Sequence, residues 1–217
     1  MSEGPGDPPR LFLIRHGETA WTLTGQHTGR TDLALTSHGE DEARALAPSL
    51  NRIDFSHVLT SPLLRARETC VLTGLAPAAR IEPDLAEWDY GDFEGLHSDD
   101  IRKQWPGWNV FRDGCPGGES AAEVSERADR IAEQIAALHG NVALFSHGQF
   151  SCSLAVRWIG LAIIEAHHFS LATASISVLG SNPNHPDIRV IARWNALLEQ
   201  VVGPDRHADI REAVSTD

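Results

Sequence analysis

The sequence predicts an α/β protein built on an open, mostly parallel sheet. Three observations carry this: short continuous apolar runs that end in turns, capped segments between them long enough to be crossover helices, and one strongly periodic helix late in the chain. After a leader over residues 1–9, Leu11-Phe-Leu-Ile14 is a buried-strand run that stops at Arg15-His16-Gly17. Thr36 or Ser37 then caps a helix over roughly 38–50, and Glu40 stands three residues after Ser37 as in a capping box. Phe55-Ser-His-Val-Leu59 is the next strand. Ser61-Pro62 reads as an N-cap followed by Pro at the first helical position, opening a helix that carries Leu63, Leu64, Ala66 and Val71.

Residues 83–118 interrupt this rhythm with Trp88, Trp105, Trp108, the single Tyr and many Gly and Pro, and they predict a loop-rich excursion with a short helix near 98–105. Ser120-Ala-Ala-Glu123 is a second capping box, after which Val124, Ala128, Ile131, Ile135 and Leu138 recur along one helical face. Asn141-Val-Ala-Leu-Phe145 is a buried strand reaching Ser146-His147-Gly148, followed by an apolar helix to about 159 and β-like runs near 174–179 and 188–193. A single domain over 10–202 and a polar tail over 203–217 complete the expected organisation.

Composition narrows the partners. With 41% hydrophobic and 22% charged residues the chain can build a core, which excludes a wholly disordered, collagenous or coiled-coil protein. A net charge of −12 repels nucleic acid and anionic membranes, while a local Arg cluster can still hold a small anionic substrate. Three widely spaced cysteines without a CxxC pair suggest reduced thiols, and the acidic, Pro-rich start lacks the pattern of a secretory signal. The expectation is a cytoplasmic protein.

The chemistry-bearing residues fall at strand ends. In open α/β sheets ligands bind beyond the strand C-termini, so His16 and His147 share one functional edge, each near helix-starting N–H groups. Arg15-His16-Gly17 combines a fixed cation, an imidazole and a residue permitting close approach. Arg65, in the first turn of its helix, presents planar donors able to bind two phosphate oxygens. In the acidic run Glu87-Trp-Asp-Tyr-Gly91, the carboxyls of Glu87 and Asp89, with Glu94 nearby, compete for the role of proton donor, and burial beside Trp88 would favour the acid form. The set points to attack on a bound phosphate.

RHGET, TSPLLRARET, EWDYGDFEG and FSHG occur in that order across 15–148, and on these motifs the chain resembles the histidine phosphatase superfamily, with a three-layer α/β/α, phosphoglycerate mutase-like fold. GQHTGRTDLALT, AEWDYGDFEGL and WNVFRDGCPGGES are similar to the branch holding sedoheptulose-1,7-bisphosphatase-like and broad acid phosphatase-like members. The resemblance implies His16 as the nucleophile that becomes phosphohistidine, Arg15, Arg65 and His147 on the phosphate oxygens, and Glu87 as the proton donor. It also implies substrate contacts from Thr28, Gly29, Tyr90, Gly148 and Gln149. At Thr22 the sequence departs from it, because many relatives read RHGxTxWN and carry Asn where this chain has Thr22.

The function expected is a metal-independent phosphomonoesterase acting on small phosphorylated metabolites, with sugar phosphates foremost and no cofactor. The chain has no HExxH or paired-Cys pattern, and His167-His168, adjacent on a helix, are expected to point apart. Phosphoglycerate mutase is the alternative, disfavoured because residues 88–118 offer only Arg102, Lys103 and Arg112 as cations. A phosphoprotein phosphatase would need an open approach to His16, whereas Trp88, Tyr90, Phe93, Trp105 and Trp108 are expected to wall the pocket. An inactive scaffold would tolerate loss of His16 or Glu87. An exposed Trp105 or Trp108 could equally line a homodimer face.

Overall fold

A computed structural model describes residues 8–196; most of the leader and the whole of the expected tail lie outside the described residues. The strands are β1 (Arg10–Arg15), β2 (Phe55–Thr60), β3 (Ala79–Ile81), β4 (Asn141–Ser146), β5 (Ile176–Asn182) and β6 (His185–Ala196). The helices are α1 (Ala20–Thr24), α2 (Ser37–Leu50), α3 (Leu64–Leu72), α4 (Ser98–Gln104), α5 (Val110–Asp113), α6 (Ala121–Ala136) and α7 (Gly148–Trp158). Sheet order is β3-β2-β4-β1-β5-β6. The first four strands run parallel, as crossover helices require, and β5 and β6 add antiparallel at the β1 side.

Both faces of the sheet are covered. On one, Leu11, Leu13, Leu144 and Leu179 pack with Val124, Ala128 and Ile131 of α6 and with Phe150 and Leu154 of α7. On the other, Phe12, Ile14, Ala143 and Phe145 meet Leu46 and Leu50 of α2 and Cys70 of α3. Alternation along β1 and β4 explains the division, because successive side chains leave a strand on opposite faces. None of the described helices is long and apolar enough to cross a membrane.

Several helix starts follow the predicted chemistry. Ser120 and Glu123 form the capping box of α6, and Thr36 rather than Ser37 caps α2, accepting from the Gly39 N–H. The start of α3 differs from expectation: Leu63 is its N-cap, without a side-chain bond, and the Ser61 hydroxyl instead accepts from the Leu63 N–H. Ser61 itself is bound into the sheet end through its N–H to Phe145 O, which keeps it out of the helix. Val71, expected on the apolar face of α3, is exposed, while Arg65 and Ala66 are buried. His167 and His168 do not diverge; in a 3₁₀ turn over Ile163–His168 their ring centroids lie 3.9 Å apart.

The turn after β1 is held by a close backbone approach. A Cβ at Gly39 would lie 2.1 Å from Glu18 O and one at Gly17 2.3 Å from Gly39 O, so neither position has room for a side chain. Thr36 N–H donates to Glu18 O, and Glu18 N–H donates to the Glu42 carboxylate, tying the turn to α2. Gly39→Ala is therefore expected to lower stability by about 1–3 kcal/mol, as overpacking does, which urea unfolding of the two proteins would measure.

Candidate active site

Three neighbouring strand ends make the floor of the site. Because β2, β4 and β1 are adjacent, Ser61, His147 and His16 emerge side by side from their C-termini. The His16 N–H donates to Ser146 O, so the first histidine is fixed against the strand that delivers the second. The two imidazole centroids are 5.1 Å apart.

Elementary hydrogen-bond accounting assigns the His16 tautomer. Nδ1 lies 2.8 Å from Gly17 O, and a carbonyl oxygen can only accept, so Nδ1 carries the proton. Burial first, then Arg65 and Arg15, push the His16 imidazole well below its usual range, with the Gly17 bond opposing. The ring is thus neutral and Nε2 holds a free-electron pair, which accepts from Arg65 Nε at 3.3 Å.

Arg65 lies fully buried in the first turn of α3. Its Nη1 donates to Thr31 O at 3.1 Å, and its Nη2 donates to Thr28 O at 3.1 Å and Gly29 O at 3.0 Å, so the fork expected to hold two phosphate oxygens is largely committed to the loop. Arg15 reaches the cavity from the end of β1; one Nη donates to Leu171 O, and its buried Nε has no partner. His147 caps α7 from inside the sheet edge, with Nε2 2.7 Å from the Ser61 hydroxyl and Nδ1 buried without a partner. Burial, followed by Arg65 and His16, holds its imidazole well below the ordinary range.

Of the competing carboxyls, only Glu87 opens on the cavity. One of its oxygens accepts from the Trp88 and Phe150 N–H groups at 2.9 and 2.8 Å, the other from Gln149 N–H at 3.0 Å. The carboxyl thereby takes up two of the free N–H groups at the start of α7. Asp89 instead pairs with Arg30 at 2.7 Å, and Glu94 accepts from the Gly29 and Thr31 N–H groups.

The cavity measures about 320 Å³, at the small end for a ligand site; Arg15, His16 and Glu87 line it, whereas Arg65 and His147 are not among its lining residues. Of the predicted contacts, Thr22, Thr28, Tyr90, Gly148 and Gln149 line it. Gly29 does not: its N–H is taken by Glu94 and its carbonyl by Arg65. The Thr22 hydroxyl is turned back into the capping box of α1, bonded with Thr19, so the shorter side chain serves the backbone where an amide would reach further. Of the five aromatic residues expected to wall the pocket, Tyr90 alone lines it; Trp88, Phe93 and Trp108 pack into the core behind it and Trp105 is partly exposed. The wall comes from Trp21, inside the first motif, and from Phe169 and Leu171, in a segment that carries no phosphate motif.

Sequence reasoning also missed Arg127. It lies buried on α6, where its guanidinium donates to Asp84 O, Ala86 O and Glu87 O, pairs with Glu119 at 2.8 Å, and covers the Phe150 ring at 4.3 Å. It clamps the loop that presents Glu87. A signal existed: Arg127 sits three residues after Val124 and four before Ile131, a charge within the apolar stripe of α6.

The fold and these groups define a class: an α/β protein that gathers two imidazoles, two guanidiniums and one carboxylate at the C-terminal edge of its sheet. Residues 11–195 match the histidine phosphatase superfamily (branch 1), and the chain belongs to that family. It is 41% identical over 175 residues to an acid phosphatase of Mycobacterium tuberculosis, covering 79% of this chain and 86% of the relative. It is 34% identical over 192 residues to sedoheptulose 1,7-bisphosphatase of Saccharomyces cerevisiae, covering 73% and 70%. Among solved structures, the alpha-ribazole phosphatase of Shigella flexneri superposes with a TM-score of 0.76 at 27% identity, over 86% of this chain and 96% of that one.

His27 offers a thermodynamic test of the cavity. It stacks on Tyr90 at 4.5 Å, and burial, aided by Arg102 and His97, pushes its imidazole down to about 4. A lowered folded value means the unfolded chain binds the proton more readily, so the stability this group contributes is complete above pH 6.5 and is lost as pH falls toward 4. Urea unfolding at pH 7 and 4.5 should show a stability loss smaller by about 2–3 kcal/mol in His27→Gln than in the wild type.

Proposed function

We propose that this protein is a phosphatase that hydrolyses phosphomonoesters of small metabolites, sugar phosphates foremost, through a phosphohistidine on His16. The observation that carries the reading is the His16 ring: Nδ1–H is committed to Gly17 O, so the opposite nitrogen is an unprotonated nucleophile between two guanidiniums.

In the first step His16 Nε2 attacks phosphorus as the ester P–O bond breaks. The charge spreading over the equatorial oxygens is met by Arg15, Arg65 and His147, the cationic and hydrogen-bonding stabilisation such transfers depend on. A protonated Glu87 gives its proton to the departing alkoxide. In the second step the Glu87 carboxylate takes a proton from water, the hydroxide oxygen bonds to phosphorus, and the P–N bond breaks to release phosphate and free His16. The positive charge needed is already on two arginines, so the reaction calls on no metal or cofactor.

The mutase alternative finds less support. Arg102 faces Asp99 at 3.6 Å, Lys103 pairs with Asp100 at 2.7 Å and Arg112 with Asp113 at 2.8 Å. All three cations are exposed and committed to neighbours on their own segments, and none lines the cavity where a second anionic group would sit. The reading includes a cytoplasmic enzyme with a small phosphorylated metabolite as its partner, and neither nucleic acid nor membrane.

Phosphate release is to be measured over sugar mono- and bisphosphates, 3-phosphoglycerate and a phosphopeptide, in excess EDTA. Release that survives EDTA and falls at least about 10³-fold in His16→Ala supports the mechanism; isomerisation of 3-phosphoglycerate without release would overturn it. Glu87→Gln should lower kcat by about 10²–10⁴-fold on alkyl phosphates. With an ester of a nitrophenol, whose leaving oxygen needs no proton, the loss should shrink to a small fraction of that.

A further inference from the structure

We infer that Ser61 is a positioning residue: its hydroxyl donates to His147 Nε2, fixing the proton on Nδ1 so that the neutral ring presents an N–H to the phosphate. The proposal rests on the phosphoryl-transfer reading above for the identity of the anion, but the tautomer follows from bonds on this chain alone.

Ser61 is fully buried, and its hydroxyl oxygen lies 2.7 Å from His147 Nε2. The same oxygen accepts from the Leu63 N–H at 3.2 Å. These two are its partners among the described residues. A hydroxyl has one proton and two lone pairs, so with Leu63 donating to it, its own proton has one acceptor within reach, the Nε2 lone pair. The reverse arrangement, with Nε2–H donating to Ser61, would strand the buried hydroxyl proton. Nδ1 is buried without a partner in either arrangement, so the stranded hydroxyl proton is what decides between them.

The position of Nδ1 gives the tautomer a use. That nitrogen is buried and unpartnered, on a ring whose centroid is 5.1 Å from that of the nucleophile. An Nδ1 lone pair there would repel phosphate oxygens, whereas Nδ1–H donates to them. Burial, then Arg65, already disfavours a second proton on the ring. A neutral donor therefore depends on which nitrogen holds the single proton, and the serine settles that. Serine in this place also explains why Ser61-Pro62 fails as a helix cap: the side chain that would cap α3 is turned to the histidine. The polypeptide holds Ser61 firmly for the task, through its N–H to Phe145 O and its carbonyl to the Thr60 hydroxyl.

The test is ¹⁵N–¹H correlation of the imidazole nitrogens at neutral pH, with His147 assigned through His147→Gln, in the wild type and in Ser61→Ala. The wild type should show His147 protonated on Nδ1, and Ser61→Ala should show the proton moved or shared between the nitrogens. Thermal unfolding should stay close to the wild type, while kcat/KM falls by roughly 10- to 100-fold, the range that partners orienting a functional imidazole carry. Titration with inorganic phosphate should show correspondingly weaker binding by Ser61→Ala. A wild-type ring protonated on Nε2 would overturn the proposal without recourse to any variant. So would an unchanged tautomer, or activity within twofold of wild type, in Ser61→Ala. If the wild type neither binds nor releases phosphate, the phosphoryl reading falls, and the imidazole signals still decide whether Ser61 sets the ring.

Discussion

A guanidinium fully buried at the C-terminal edge of the sheet constrains much of the structure around it. Arg65 has no exposed surface, and burying an unpaired charge would cost more than a small domain can absorb. The chain meets that demand with carbonyl oxygens of Thr28, Gly29 and Thr31, supplied by a loop that has no regular structure of its own. Glu94 then takes the N–H groups of Gly29 and Thr31, so the loop is fastened from both sides. The geometry at His16 is a by-product of this arrangement: once the two Nη atoms are committed to the loop, Nε is left facing the imidazole.

Arg127 repeats the device on the other side of the cavity. Its hydrogen bonds to main-chain carbonyls around Glu87 and its pairing with Glu119 fix the irregular segment that precedes the aromatic core of the excursion. Two buried arginines thus organise two loops, one beside the nucleophile and one beside the acid. Such planar, multiply bonded cations are costly if any partner is removed, which ties both segments down through their own carbonyls.

How much of this was legible in the sequence depends on the range of the interaction involved. The strands at Leu11 and Asn141 and the caps at Thr36 and Ser120 follow from neighbouring residues, and the structure places them as those residues suggest. His16, Arg65 and His147 were identifiable because each stands at a strand end or in a first helical turn, where side chains converge on one edge. Position along the chain could not show that Phe169 and Leu171 wall the cavity, that Gly29 spends its N–H on Glu94, or that Ser61 faces a histidine 86 residues away. Thr22 is an intermediate case. Its departure from the family pattern was visible, but its absorption into the α1 cap depends on Thr19 three residues earlier, a local bond that attention to capping would have found.

The first turn of α7 is shared between the acid and the cavity. Helix N-termini are natural phosphate cradles, yet the N–H groups of Gln149 and Phe150 are occupied by Glu87. A helix start of the kind that grips phosphate thus gives two of its N–H groups to a carboxyl of its own chain, and of that first turn Gly148 and Gln149 face the cavity.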